Sequence, residues 1–151
     1  MRSSYNTVIA ALCLLTATLA HAQTTGFGVG LMVGEPIGGS FKAWLSEKTA
    51  IDGGVAYANY DDEGLQIHSD YLFHNFDWLS AGSGRLPVYF GLGARLKFAD
   101  DTHVGFRGPI GVSYIFDNVP VDVFGEVAPI LDFTPNWRVE WNAAIGARYW
   151  F

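Results

Sequence analysis

Read back from the C-terminus, apolar and polar side chains alternate. Phe151, Tyr149, Ala147, Ile145, Ala143 and Trp141 fall on one face; Trp150, Arg148, Gly146, Ala144, Asn142 and Glu140 fall on the other. A period of two is that of a β-strand. The same alternation, punctuated by Gly, Pro, Asn, Asp and Ser, predicts eight strands over residues 26–33, 40–45, 50–59, 65–73, 86–98, 103–116, 121–131 and 138–151. No stretch sustains a helical period. Gly34-Glu35-Pro36 reads as a turn, with Gly38-Gly39 relaxing the next one. Pro109 and Pro129 fall inside predicted strands, where a missing N–H marks a bulge or a strand end.

Phasing all eight strands separates two faces. One carries Phe27, Val29, Leu31, Val33, Phe41, Ala43, Leu45, Ile51, Val55, Tyr57, Leu65, Ile67, Tyr71, Phe73, Val88, Phe90, Leu92, Leu96, Ile110, Val112, Tyr114, Phe116, Val121, Val123 and Val127. The other carries Gly28, Gly30, Gln66, His68, His74, Tyr89, Ser113, Asn142 and ten charges. The positive charges are Lys42, Arg95, Lys97, Arg107 and Arg148; the negative ones are Asp52, Asp70, Asp122, Glu126 and Glu140. They cancel. A soluble ligand-binding barrel would turn its charges outward, where nothing requires them to balance. An eight-stranded barrel with a side-chain-filled lumen would need them paired, because an unpaired buried charge costs several kcal/mol. The pairs expected are Arg95, Arg107 and Arg148 against Asp70, Glu126 and Glu140. Gly91, Gly93, Gly111 and Gly146 would leave room for the guanidinium groups. The fold class that follows is all-β: an eight-stranded antiparallel up-and-down transmembrane β-barrel with an apolar exterior.

The N-terminus adds an address. Arg2, the apolar run 8–19 and Ala20-His21-Ala22 read as a cleaved signal peptide over residues 1–22, with the barrel domain over 23–151. Cys13 lies in the apolar run after Leu12, where a lipoprotein signal would want a small residue. Removing 22 of 151 residues leaves 129, without cysteine and so without disulfides. That part keeps 8 of the 9 Lys and Arg and all 15 Asp and Glu, a formal charge of −7, which argues against nucleic acid. Half the residues are hydrophobic and mean hydropathy is positive, with no apolar run long enough for a spanning helix; a barrel hides such content at every second position. The length leaves seven short connections and one domain.

The expected location is therefore a bacterial outer membrane. There, aromatics at strand ends (Trp44, Tyr57, Tyr60, Phe73, Trp78, Phe116, Trp137, Trp141, Tyr149, Phe151) would form interfacial girdles. With both termini in the periplasm, the external connections hold Glu35, Asp61, Asp62, Glu63, Asp100, Asp101 and Asp132, an acidic rim with Arg138 at its edge. A solvated rim is the plain reading; divalent cations bridging it to lipopolysaccharide is the sharper one.

No catalytic chemistry is expected. His68 and Ser69 are adjacent, so they point to opposite faces; His68 shares a face with Asp70 and Ser113, a possible base, orienter and nucleophile. No metal or cofactor is expected: Cys and His lack zinc spacing, and Gly26 to Gly39 lacks the Lys-Ser/Thr of a phosphate loop.

Gly34-Glu35-Pro36-Ile37-Gly38, Asp70-Tyr71-Leu72-Phe73-His74-Asn75, Leu86-Pro87-Val88-Tyr89-Phe90-Gly91 and the run from Asp122 to Leu131 carry a resemblance. Residues 23–151 resemble the small OmpA/OmpX-type outer-membrane barrels and, more narrowly, a short-loop barrel family without an established activity. The resemblance implies the fold and the location, and the short external loops speak against a tall adhesive surface. The terminal Phe151, with Tyr149, resembles the last-strand signal read by the barrel-assembly machinery. The expected partners are outer-membrane lipid, lipopolysaccharide and that machinery, with a monomeric barrel. The reading is a non-catalytic integral barrel with a closed, charge-paired lumen and a structural or surface-interaction role. A narrow pore and a lipid A-modifying enzyme are the alternatives.

Overall fold

The computed structural model describes residues 24–60 and 62–151. The expected signal peptide, Cys13 and Asp61 lie outside them. Nine strands follow in chain order: β1 (Phe27–Glu35), β2 (Ile37–Trp44), β3 (Thr49–Ala58), β4 (Gly64–Asn75), β5 (Val88–Phe98), β6 (Thr102–Arg107), β7 (Ile110–Ile115), β8 (Val121–Thr134) and β9 (Arg138–Trp150). All pairings are antiparallel. β6 and β7 are two halves of one stave, each paired to β5 and β8, so the nine strands make a ring of eight. β1 closes the ring on β9, with Gly28 opposite Trp150, and Phe151 N donates to Phe27 O at 2.9 Å. A closed ring has no unpaired edge.

The break in the sixth stave is where the sequence places Pro109, so the expected single strand over 103–116 is corrected to two. Gly108 and Pro109 face β8 at Pro129, and Gly108 N donates to Pro129 O at 3.0 Å. The missing N–H groups of both prolines thus fall at one point, and the ladder resumes beyond it in unchanged register: Arg107 opposite Ile130, Ile110 opposite Val127. A second correction concerns Gly38 and Gly39. They lie within β2, paired with Ala56 and Val55, because Pro36 alone connects β1 to β2.

Short connections serve the side away from the termini: residues 36, 59–63, 99–101 and 135–137. The terminus side has two short ones, 45–48 and 116–120, and one of twelve residues, 76–87, where only short links were expected. Local polar bonds order both kinds. Ser46 Oγ accepts from Thr49 N at 3.1 Å, and Asn75 Oδ1 accepts from Asp77 N and Trp78 N at 2.9 and 3.0 Å.

The apolar face phased from sequence lies outside. Leu31, Val55, Leu92, Ile110, Val127 and Ile145 are all exposed on the wall. Ser69, a polar residue of β4 on this face, donates its hydroxyl to the carbonyl of Asp52 at 3.1 Å. Exposed rings gather at both ends: Phe27, Phe73, Phe90, Tyr149 and Phe151 on the terminus side, and Tyr57, Tyr60, Phe98, Trp137 and Trp141 on the other. Trp44, placed among the girdle aromatics but phased inward with Lys42 by the sequence, follows its phase. It is buried inside with Trp150, Ala50 and Ile115, since its place in β2 has the same parity as Lys42.

Candidate functional site: a buried charge network in the lumen

The interior is a polar core. Lys42, Asp52, Asp70, Arg95, Lys97, Arg107, Asp122 and Arg148 are each at most 5% exposed, and the side chains of Glu126 and Glu140 are 7% and 11% exposed. Every one projects inward because its strand alternates. What they form is set by which strands lie side by side.

On the terminus side aromatic rings pack together inside the lumen. Trp44 and Trp150 stack with centroids 6.1 Å apart, and His74 and Phe76 pack beside Trp44. Lys42 Nζ lies 4.6 Å from the centre of the Trp44 ring and 5.1 Å from that of Tyr89, and touches His74 Nε2 at 2.6 Å.

The middle holds two arginines. Arg148 on β9 donates through Nε and an Nη to both carboxylate oxygens of Asp122 on β8, at 3.1 and 3.2 Å, with Asp52 at 3.7 Å and the Phe124 ring 4.1 Å from its guanidinium carbon. Arg107 on β6 bridges Asp70 and Glu126, and Tyr89 donates its hydroxyl to Glu126 at 2.9 Å.

Toward the far mouth, Arg95 on β5 takes Asp132 at 2.5 Å and Glu140 at 2.6 Å, and Lys97 reaches Glu140 at 3.5 Å. Arg138 continues the chain outward from Glu140 to Asp62, the latter at 2.7 Å. The hydrogen bond from Arg138 holds the Asp62 carboxyl below its ordinary range. His103 sits between Asp132 at 3.7 Å and Asp62 at 3.9 Å.

Of the three arginines expected to pair with Asp70, Glu126 and Glu140, two do and one does not. Arg107 takes Asp70 and Glu126, and Arg95 takes Glu140, but Arg148 belongs to Asp122 and Asp52. Asp132 was read as part of an external connection; it is fully buried in the lumen. β8 runs three residues beyond the expected end at Leu131, and its alternation turns Asp132 inward beside Arg95. The lumen therefore holds six acids against five bases, and the balance is restored by Arg138 at the mouth. The external rim is correspondingly less acidic, since Asp132 lies inside and Asp62 is paired; Glu35 keeps its charge and accepts from Asn59 N.

The inward glycines also serve other groups than expected. A Cβ at Gly93 would overlap Asp70 Oδ1, one at Gly105 would overlap Asp132 Oδ1, and those at Gly111 and Gly146 would meet the Tyr89 and Phe124 rings. They make room for acids and aromatics rather than for guanidinium groups.

The possible catalytic grouping is not hydrogen-bonded together. Ser113 Oγ and His68 Nδ1 are both buried without a hydrogen-bond partner, and Asp70 is engaged by Arg107. Among the described residues no group of three or more His, Cys, Asp or Glu is arranged to hold a metal ion.

The fold is similar to the crystal structure of the N-terminal β-barrel domain of Pseudomonas aeruginosa OprF, with a TM-score of 0.63 and 16% identity over 84% of this chain and 98% of that one. The likeness is one of architecture: an antiparallel β-barrel. No protein-family model matches the chain, and no curated protein matches it in sequence.

Proposed function

We propose that the protein is an integral barrel of a bacterial outer membrane, with a lumen closed by its own paired charges. The observation that carries this reading is the inversion of the core. Leu31 is 71% exposed at the middle of β1, whereas Arg95 and Arg148 are each 1% exposed inside. In water that arrangement would expose a continuous apolar belt and bury costly charges; in a bilayer the belt faces hydrocarbon and the network fills the lumen. The OprF domain, by its name a barrel of the same build, supports the assignment.

The role that suits such a barrel is structural or surface-interacting, without catalysis. Lipid and lipopolysaccharide are its surroundings, the barrel-assembly machinery acts on it during biogenesis, and the barrel is monomeric. Residues 1–22 direct its export. Expression in a Gram-negative host tests the location. The expected result is a protein that fractionates with outer membranes, resists urea extraction and shifts on a gel only after heating. Recovery as a soluble periplasmic protein contradicts it.

A further inference from the structure

The twelve-residue connection 76–87 is far longer than its neighbours, and it is ordered. Beyond the Asn75 turn, Gly84 N donates to Asp117 Oδ2 at 2.8 Å, and Arg85 exchanges backbone hydrogen bonds with Ile115 at 2.8 and 2.9 Å. Pinned at both ends, it borders an open vestibule of about 440 Å³ on the terminus side of the barrel, lined also by Thr24 and the turn that carries Glu47 and Lys48. That volume is within the range of small-molecule sites. Phe76, Leu79 and Leu86 supply apolar lining. Phe76 packs on the Trp44–Trp150 plug, so the vestibule has a closed floor.

Two cations lie on its wall. The Arg85 guanidinium carbon is 5.7 Å from the centre of the Phe76 ring, and neither Arg85 nor Lys48 makes an ion pair among the described residues. This contrasts with the lumen above, where each arginine holds a carboxylate. Glu47, on the same wall, is the one acid there. Two cations without an ion pair, outnumbering the one acid beside them and set against apolar surface, are complementary to a ligand that is anionic at one end and apolar at the other.

We propose that this vestibule binds a single-chain anionic amphiphile. The carboxylate or phosphate takes Arg85 and Lys48, and the chain lies on Phe76, Leu79 and Leu86. The probes are octanoate and octyl phosphate, titrated calorimetrically into the folded full-length barrel held in nanodiscs of zwitterionic phosphatidylcholine, with empty nanodiscs as the blank. Octanol and inorganic phosphate serve as controls, and a heat-dependent gel shift establishes folding. The expected result is saturable binding of both amphiphiles at one site, weakened about tenfold by Arg85→Gln or Lys48→Gln, the loss of one charge-assisted bond. Leu79→Asn should weaken the amphiphiles too, while neither control binds comparably. Equal binding by wild type and the Arg85 and Lys48 variants overturns the proposal. So does the absence of saturable binding to folded protein, or inorganic phosphate binding as tightly as octyl phosphate. None of these outcomes bears on the membrane location.

Discussion

Arg148 and Asp122 face each other across β8 and β9 at the same register position, and two hydrogen bonds of 3.1 and 3.2 Å join them with neither side chain exposed to solvent. Removing one member of such a pair leaves a buried charge, which costs about 3–5 kcal/mol. Asp122→Asn should therefore lower the unfolding free energy of the bilayer-embedded barrel by about that amount. Urea titration followed by tryptophan fluorescence measures it. Replacing both residues with apolar ones should recover most of the loss; a double variant no better than the single one contradicts the pairing account.

The exterior is tested by one substitution. Leu31→Arg places a cation at mid-wall, where the cost against lipid is about 2–4 kcal/mol. On a water-facing wall the same change would stay within about 0.5 kcal/mol. The same urea titration distinguishes the two settings.

Gly93 is opposite Asp70 across β4 and β5, and a side-chain carbon there would overlap both the Asp70 carboxylate and the carbonyl of Ser69. Gly93→Ala should displace Asp70 from Arg107 and destabilise the barrel by about 1–3 kcal/mol, as overpacking does. Gly125→Ala, on the outer face with only Ile145 nearby at 3.8 Å, is the tolerated control.

At the far mouth, the hydrogen bond from Arg138 depresses the Asp62 carboxyl, so the contact contributes above the ordinary carboxylate range and is lost as pH falls through the depressed value. Because Asp62 is open to solvent, the effect belongs to local order and weakens with salt. In Arg138→Gln the Asp62 carboxyl should titrate closer to its ordinary range by NMR. An unchanged titration would show that the 2.7 Å contact does not persist in solution.

Phe151 is exposed at the end of β9 and packs edge-on against Tyr149. If these rings form the assembly signal, deleting Phe151 should lower the amount of folded barrel in outer membranes while purified protein still refolds in detergent. Normal membrane levels contradict that role.

How far the sequence could be read differs by element. Alternation placed Leu31, Val123 and Ile145 outside and Arg95, Arg107 and Arg148 inside, because parity is a local property of a strand. Which acid meets which base depends on neighbouring staves, so Arg148 could not be matched to Asp122 and Asp52 without the register. Asp132 was misread because Asp suggests a turn, whereas β8 continues through Phe133 with a bulge against β6 between Val104 and Gly105. Pro109 signalled the break in the sixth stave, but that Pro129 lies across from it is a tertiary fact. The connection 76–87 showed no strand alternation in the sequence, and its pinning by Ile115, at the end of β7, and by Asp117, just beyond it, is a tertiary fact.

The central claim is that the lumen is a sealed core of paired charges. Planar-bilayer recording from purified, heat-shift-verified barrel tests it most directly. Insertion without conductance steps is the predicted result, since Arg95, Arg107, Arg148 and the stacked Trp44 and Trp150 are buried and paired inside the barrel. Steady ion-selective steps would contradict it and make those side chains the lining of a pore.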